Sequence, residues 1–245
     1  MNDTTDDKFL GGRIAAHQPT RGFRAGLDAV MLAAAIPVVA GEEVLELGSG
    51  AGVASLCLAA RVQSATVEGL EIAPDLVELA NANAAANGMD GRVTFFAGDA
   101  LGPPEEVRHP YDHVLCNPPF HSGEGEVSPD VARARAMRDV GQLEDWLCAG
   151  LRRTTGGGTF TVILRADRVR EALLALPTHG VSIFPLWPRA GVPAKRVILQ
   201  ATNGSMAPIA LLHGLVLHDA HGKYTPEADA VLREGAALNL QGRVN

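Results

Sequence analysis

Only three cysteines occur in the 245 residues, Cys57, Cys116 and Cys148, and they stand far apart. That excludes a disulfide scaffold and a cysteine-based metal cluster, since neither paired spacing is present. Cys116 falls in an apolar run, where cysteine is most often a small core residue rather than a nucleophile. Aromatic residues make up 4% of the chain, so alanine and leucine must do most of the packing. No apolar run reaches the roughly 18 residues that cross a bilayer, which argues against a membrane helix. The start, MNDTTDDK, is polar and acidic and does not read as a signal peptide. With so little cysteine, the expected compartment is a reducing cytoplasm. There is no internal repeat, low-complexity tract or domain linker. What remains is 47% hydrophobic, enough to bury one large α/β core.

Residues 111–120 read YDHVLCNPPF. A β-branched and apolar run ends in Asn117, Pro118, Pro119 and Phe120. Both prolines lack an N–H and have fixed φ, so the carbonyls around them are held stiffly outward. Asn117 adds a side-chain carbonyl acceptor. Two aimed acceptors suit an amino group whose lone pair is tied up in conjugation. Holding its two hydrogens favours a pyramidal nitrogen whose lone pair can attack. Phe120 offers a flat face for a planar substrate. The plain alternative is a proline-rich strand exit with a buried phenylalanine.

Residues 44–52 read VLELGSGAG. An apolar strand carries Glu46 near its end, and Gly48, Gly50 and Gly52 lead into a helical pattern over 53–61. Glycines there let the backbone approach a ligand closely, and the helix N-terminus offers N–H groups. Dinucleotide-binding sheets use such a turn too, so alone it is weak. A second strand, 66–72 (TVEGLEI), carries Glu71, which can reach a ribose diol, with Ile72 beside it. A third, over 93–97, is followed by Gly98, Asp99 and Ala100, and Asp99 can accept from an adenine amino group. The plain alternatives are a capping Asp99 and a solvated Glu71.

Elsewhere, helices are expected over 25–38, from Pro74 to Asn87-Gly88, over 142–153 (closed by Gly156, Gly157 and Gly158) and over 167–176. Strands are expected over 111–116 and 159–164, with a final strand hairpin from 181–186 and 195–201. Alternating strands and helices predict a sheet covered on both faces.

Taken in order, ELGSGAG, LEIAPD, GDA and NPPF resemble the motifs of class I S-adenosylmethionine-dependent methyltransferases of the amino-nitrogen group. Residues 18–34 (QPTRGFRAGLDAVMLAA), 186–199 (LWPRAGVPAKRVIL) and the downstream HGLVLHDAHGKYTPEADAVL resemble the tRNA1(Val) adenine-37 N6-methyltransferase family. The likeness covers roughly residues 8–240. It implies a Rossmann-like fold, a seven-stranded and mostly parallel sheet with an antiparallel final strand. It also implies an N-terminal segment, 1–40, packed over the donor site of a catalytic domain, 41–245. S-adenosyl-L-methionine is the implied cofactor, held by Glu46, Gly48, Gly50, Gly52, Glu71, Ile72, Asp99, Ala100 and Asn117. The implied catalytic residues are Asn117, Pro118, Pro119 and Phe120. The methyl carbon of a sulfonium is already activated, so no metal is expected.

Net charge is −7, yet residues 1–130 carry −12 and residues 131–218 carry +6. No Asp or Glu occurs between 172 and 218. Arg133, Arg135, Arg138, Lys195 and Arg196 are therefore candidates for holding an RNA substrate, most simply a tRNA. Solvated surface arginines are the ordinary alternative. The two glutamates of residues 123–126 (GEGE) would repel phosphates. Two other functions stay open: a glutamine N5-methyltransferase acting on a release factor, and a non-enzymatic donor- or RNA-binding module. The first is disfavoured by the short stretch before the glycine motif, the second by the presence of both motifs.

Overall fold

The computed structural model describes residues 4–119 and 143–240. It opens with an antiparallel hairpin, β1 (Thr4–Phe9) and β2 (Ile14–Pro19). The chain then runs α1 (Leu27–Ala35), β3 (Glu43–Leu47), α2 (Val53–Arg61), β4 (Thr66–Glu71), α3 (Pro74–Ala86) and β5 (Val93–Ala97). The central strand β6 (Tyr111–Cys116) precedes α4 (Leu143–Arg152), β7 (Thr154–Arg165), α5 (Val169–Ala175), β8 (Val181–Arg189) and β9 (Arg196–Thr202). Two short strands, β10 (Ala210–Leu211) and β11 (Leu215–His218), lead into α6 (Pro226–Asp229).

The main sheet has the order β5-β4-β3-β6-β7-β9-β8, with β10 and β11 both on the outer edge of β8. It therefore holds nine strands rather than the seven expected, because two short segments after residue 209 add to the edge. Only β9 runs against its neighbours; all other pairs are parallel. This is the expected Rossmann-like fold with an antiparallel final strand of the central seven.

The central strands are mostly apolar because both faces are covered, with Glu46, His113 and Thr161 as buried polar exceptions. Val44, Leu115 and Ile163 point to the α1, α2 and α3 layer. Leu45, Leu47, Val114, Cys116, Val162 and Leu164 point to the α4 and α5 layer. That alternation of period two fixes the register, since a one-residue slip would exchange the faces.

Three local expectations need correction. The N-terminal helix spans Leu27–Ala35, not 25–38, because Ile36 already has extended backbone (φ −78°, ψ 122°) ahead of Pro37. Gly156, Gly157 and Gly158 do not close a helix but lie inside β7. There the pairing advances from Tyr111–Thr154 to His113–Thr159, so three extra residues bulge from β7. A Cβ on Gly158 would sit 2.3 Å from the Asp112 carbonyl oxygen, which is why glycine stands there. The β1–β2 hairpin is unforeseen, since TTDDKF reads as polar coil. Among the described residues no helix is long and apolar enough to cross a membrane.

Candidate active site

Strand order reverses between β3 and β6, where successive connections lead away on opposite sides. Open α/β sheets bind ligands at such a point, beyond the carboxyl ends of the strands. Leu47 is level with both Leu70 and Cys116, and Glu71 is level with Ala97. The tips of β6, β3, β4 and β5 therefore place Asn117, Gly48, Glu71 and Gly98-Asp99 in one row.

The glycine turn is built by its own backbone. Gly48, Gly50 and Gly52 have φ of +70°, +55° and +83°, a region that side chains resist. Gly48 N and Ser49 N both donate to the Leu70 carbonyl, at 2.8 and 3.1 Å. A Cβ on Gly52 would lie 2.5 Å from the Phe95 ring, and one on Gly48 would lie 2.9 Å from Trp146. Gly50 differs: a Cβ there would meet none of the described residues within 4 Å, so the turn opens away from them.

Glu71 braces this turn. Its Oε2 accepts from Gly50 N at 2.9 Å and its Oε1 from Ala73 N at 3.0 Å. Ile72, the next residue, is 62% exposed, a large apolar side chain left at a strand tip. Asp99 is exposed, and its Oδ1 accepts from Leu101 N at 2.9 Å, a bond within the turn that follows β5 rather than a helix cap. Ala100 is buried.

Glu46 sits behind the turn, almost wholly buried, with Oε2 accepting from Ser55 N (3.0 Å) and Ser55 Oγ (2.5 Å). Burial pushes its carboxyl up to about 7; the Ser55 bonds oppose the shift and repulsion from Glu71 adds to it. Cys57 is pushed up to about 12 by burial and Cys116 is raised further, so both remain thiols.

Two buried oxygens at this edge have no hydrogen-bond partner among the described residues, Ser49 Oγ and Asn117 Oδ1. Buried acceptors are rarely left unpaired, and an unpaired one marks a place for a ligand atom. Pro118 is buried and Pro119 partly so. Phe120, Arg133, Arg135, Arg138 and the acidic 123–126 stretch lie outside the described residues.

Arg196 starts β9, with Lys195 just before it, level with Leu186 of β8 and at the same end of the sheet as Asn117. Lys195 is exposed. Arg196 is already engaged, its Nε donating to Asp28 Oδ2 at 2.8 Å, which ties α1 to β9.

Sequence reasoning missed Asn83. This wholly buried α3 side chain donates to the carbonyls of His17 (2.9 Å) and Ala51 (3.0 Å) and accepts from His17 N at 2.9 Å. It therefore joins β2 to the glycine turn. Asparagine in mid-helix was the available signal, because it is a poor helix former unless its amide is used elsewhere.

The fold and the row of strand tips define a class I methyltransferase. Among solved structures, a predicted O-methyltransferase of Agrobacterium tumefaciens matches with a TM-score of 0.74 at 24% identity, over 88% of this chain and all of that one. A precorrin-6y C5,15-methyltransferase of Geobacter metallireducens matches at 0.54 and 15% identity, over 77% and 94% of the two chains. The family model for the methyltransferase small domain fits residues 26–143. Proteins named tRNA1(Val) (adenine(37)-N6)-methyltransferase are similar over most of their length. The one from Porphyromonas gingivalis strain W83 is 30% identical over 90% of this chain and 91% of its own. That of Vibrio campbellii is 31% identical over 92% and 94%. The chain belongs to the tRNA1(Val) (adenine(37)-N6)-methyltransferase family. It is an S-adenosylmethionine-dependent methyltransferase, and the unpartnered Ser49 Oγ and the open space at Gly50 fit such a donor.

Proposed function

We propose that this enzyme methylates the N6 amino group of an adenine in tRNA, and that it works in the cytoplasm. The observation that carries this is the buried, unpartnered Oδ1 of Asn117 at the strand tip beside the glycine turn. The adenine-37 and tRNA1(Val) assignment comes from the names of its relatives.

S-adenosylmethionine supplies a methyl carbon that needs no further activation. The Gly48–Gly52 backbone would hold its methionine part, Glu71 the ribose hydroxyls, and Ile72, Asp99 and Ala100 its adenine. Glu46 supports this region from behind through Ser55. The N-terminal segment, 1–40, would cover the donor, an arrangement supported by the Asn83 bonds to His17 and Ala51.

On the acceptor side, Asn117 Oδ1 and the Pro118 carbonyl would accept the two amino hydrogens of the adenine. The stiff Pro118-Pro119 backbone keeps them in place without reorganisation. Phe120 would stack on the base. No strong base is needed, because the methylated amine can lose its proton after transfer. Lys195, with Arg133, Arg135 and Arg138, would attract the phosphates, and Arg196 shares its charge with Asp28.

The test is methylation of an unmodified tRNA1(Val) transcript, read by nucleoside mass spectrometry, beside calorimetry with the donor. N6-methyladenosine is expected from the wild type. Asn117→Ala should lower kcat by about two to three decades, with donor affinity and KM little changed. A near-normal kcat in that variant would show that Asn117 is only part of a strand exit. Methylation of a release-factor glutamine instead of RNA would move the function to the protein-modifying alternative.

A further inference from the structure

A second feature at the same end of the sheet lies apart from the strand tips described above and shares only Lys195 with the proposed RNA contacts. Trp187, Ala190, Gly191, Val192, Pro193 and Val216 line an open cavity of about 430 Å³. It lies at the turn between β8 and β9, not over the glycine turn. Leu186 of β8 is level with Arg196 of β9, and Arg196 with Arg165 of β7. Cys116 is level with Val162, so the cavity opens at the end of the sheet where Asn117 lies. Three strand spacings separate β6 from β8, on the order of 15 Å.

The walls are apolar and the ring is held. Trp187 Nε1 donates to the His213 carbonyl at 3.1 Å. A Cβ on Gly214 would come within 2.7 Å of that nitrogen and 2.2 Å of the Pro185 carbonyl oxygen, so a glycine seats the indole. The rim is cationic. Arg189 and Lys195 are exposed, and neither makes an ion pair among the described residues. Arg165 and Arg168 nearby are by contrast each matched to a carboxylate. Among the described residues the nearby acids are engaged: Asp219 Oδ1 accepts from the backbone N–H groups of His221 and Lys223, at 2.8 and 2.9 Å, and Asp28 is paired with Arg196.

A fixed aromatic in an apolar slot, rimmed by cations without counterions, matches an unpaired nucleotide. The base has an apolar face to stack and the phosphates need positive charge. We propose that this cleft is a second base-binding subsite, which takes an unpaired nucleotide near the target adenosine. Trp187 contacts the base, and Arg189 and Lys195 contact the adjoining phosphates. The inference rests on the RNA reading of the active site and adds a recognition element to it. It predicts a preference for loops over duplexes, because a paired base cannot enter the slot.

The experiment uses the whole protein, the tRNA1(Val) transcript and its anticodon stem-loop. Trp187→Ala should raise the Kd and KM for the stem-loop by about 10–100-fold, with kcat at saturating RNA and donor affinity unchanged. Trp187→Phe should restore most of the loss. Arg189→Gln and Lys195→Gln should each lower the slope of log affinity against log salt by about 0.7. As a direct readout, Trp146→Phe leaves Trp187 as the sole indole, since the chain has two tryptophans. Its fluorescence should be quenched by the stem-loop and not by a fully paired duplex. Absence of quenching in RNA-bound protein, or an unchanged KM in folded Trp187→Ala, would overturn the subsite. If Trp187→Ala fails to fold, the quenching and the Trp187→Phe kinetics decide. A wild type that methylates tRNA but ignores Trp187 removes only the subsite, whereas a wild type inert on every RNA removes the active-site reading as well.

Discussion

Glu46 combines a carboxylate with almost complete burial. Its folded value of about 7 exceeds the ordinary 4.5. Below the ordinary value the proton is bound in both folded and unfolded chains, and the associated stability is fully present. As pH rises from the ordinary value through about 7 the unfolded chain gives up its proton more readily than the folded one, which would be left with a buried charge, and the stability is lost. Replacement by glutamine keeps an oxygen for both Ser55 bonds and removes the titration. Glu46→Gln should therefore match the wild type near pH 4.5 and exceed it by about 3 kcal/mol above pH 8, with the difference growing between. Thermal or urea unfolding of both proteins across that range checks the sign. A difference independent of pH would show that Glu46 titrates in the folded protein as it does in the unfolded chain. At this scale much of the site could be read in advance. Gly48, Gly50, Gly52, Glu71, Asp99 and Asn117 stand at the strand tips because the polar and glycine residues interrupt apolar runs there. What could not be read is that Glu71 spends both oxygens on backbone N–H groups. Contacts of that kind depend on how two loops meet, not on either loop's pattern.

The elements show a recurrent device on α3 and its C-cap, where Asn81, Asn83 and Asn87 each use a carboxamide to bind a neighbouring backbone. Asn81 pairs with both the N–H and the carbonyl of Phe95 in β5, at 3.0 and 2.9 Å. Asn83 and Asn87 do the same for His17 and Ala15 in β2. One helix thus clasps strands of two different sheets. Removing the Asn83 side chain leaves the His17 N–H, the His17 carbonyl and the Ala51 carbonyl short of partners. Asn83→Ala should cost about 2–4 kcal/mol of stability and speed hydrogen exchange at the His17 amide before that of the β3–β6 core. Donor affinity should fall as well, because Ala51 belongs to the glycine turn. Unaltered exchange at His17 would mean that β2 is held by other contacts. The strands β3 to β6 were legible because period-two burial writes itself as Val, Leu and Ile. The β1–β2 hairpin was not, because its strands are polar on the outer face and held by side chains remote in sequence. The strands β10 and β11, of two and four residues, carry too few positions to show any period.

For the molecule as a whole, the net charge of −7 would predict poor affinity for any polyanion. The division into −12 over residues 1–130 and +6 over 131–218 predicts the opposite for one face. RNA affinity should thus be measurable and fall steeply with salt. Replacing Arg133, Arg135 and Arg138 together by glutamine should weaken binding of unrelated RNA sequences about equally and lower the salt slope by about 2. Filter binding at several salt concentrations tests this, and a slope unchanged by the triple replacement would detach the basic half from RNA recognition.

The reversal of strand order between β3 and β6 separates two tasks along the chain. The glycine turn, Glu71 and Asp99 all come from before residue 100, while Asn117 and the cationic β8–β9 edge come from after it. On the proposed roles, the choice of acceptor could change through the later half alone while the handling of the methyl donor is left intact. The same partition offers protein engineers a seam: on the roles proposed above, grafting a foreign β8–β9 turn would exchange the acceptor surface without touching the strand tips proposed to hold the donor.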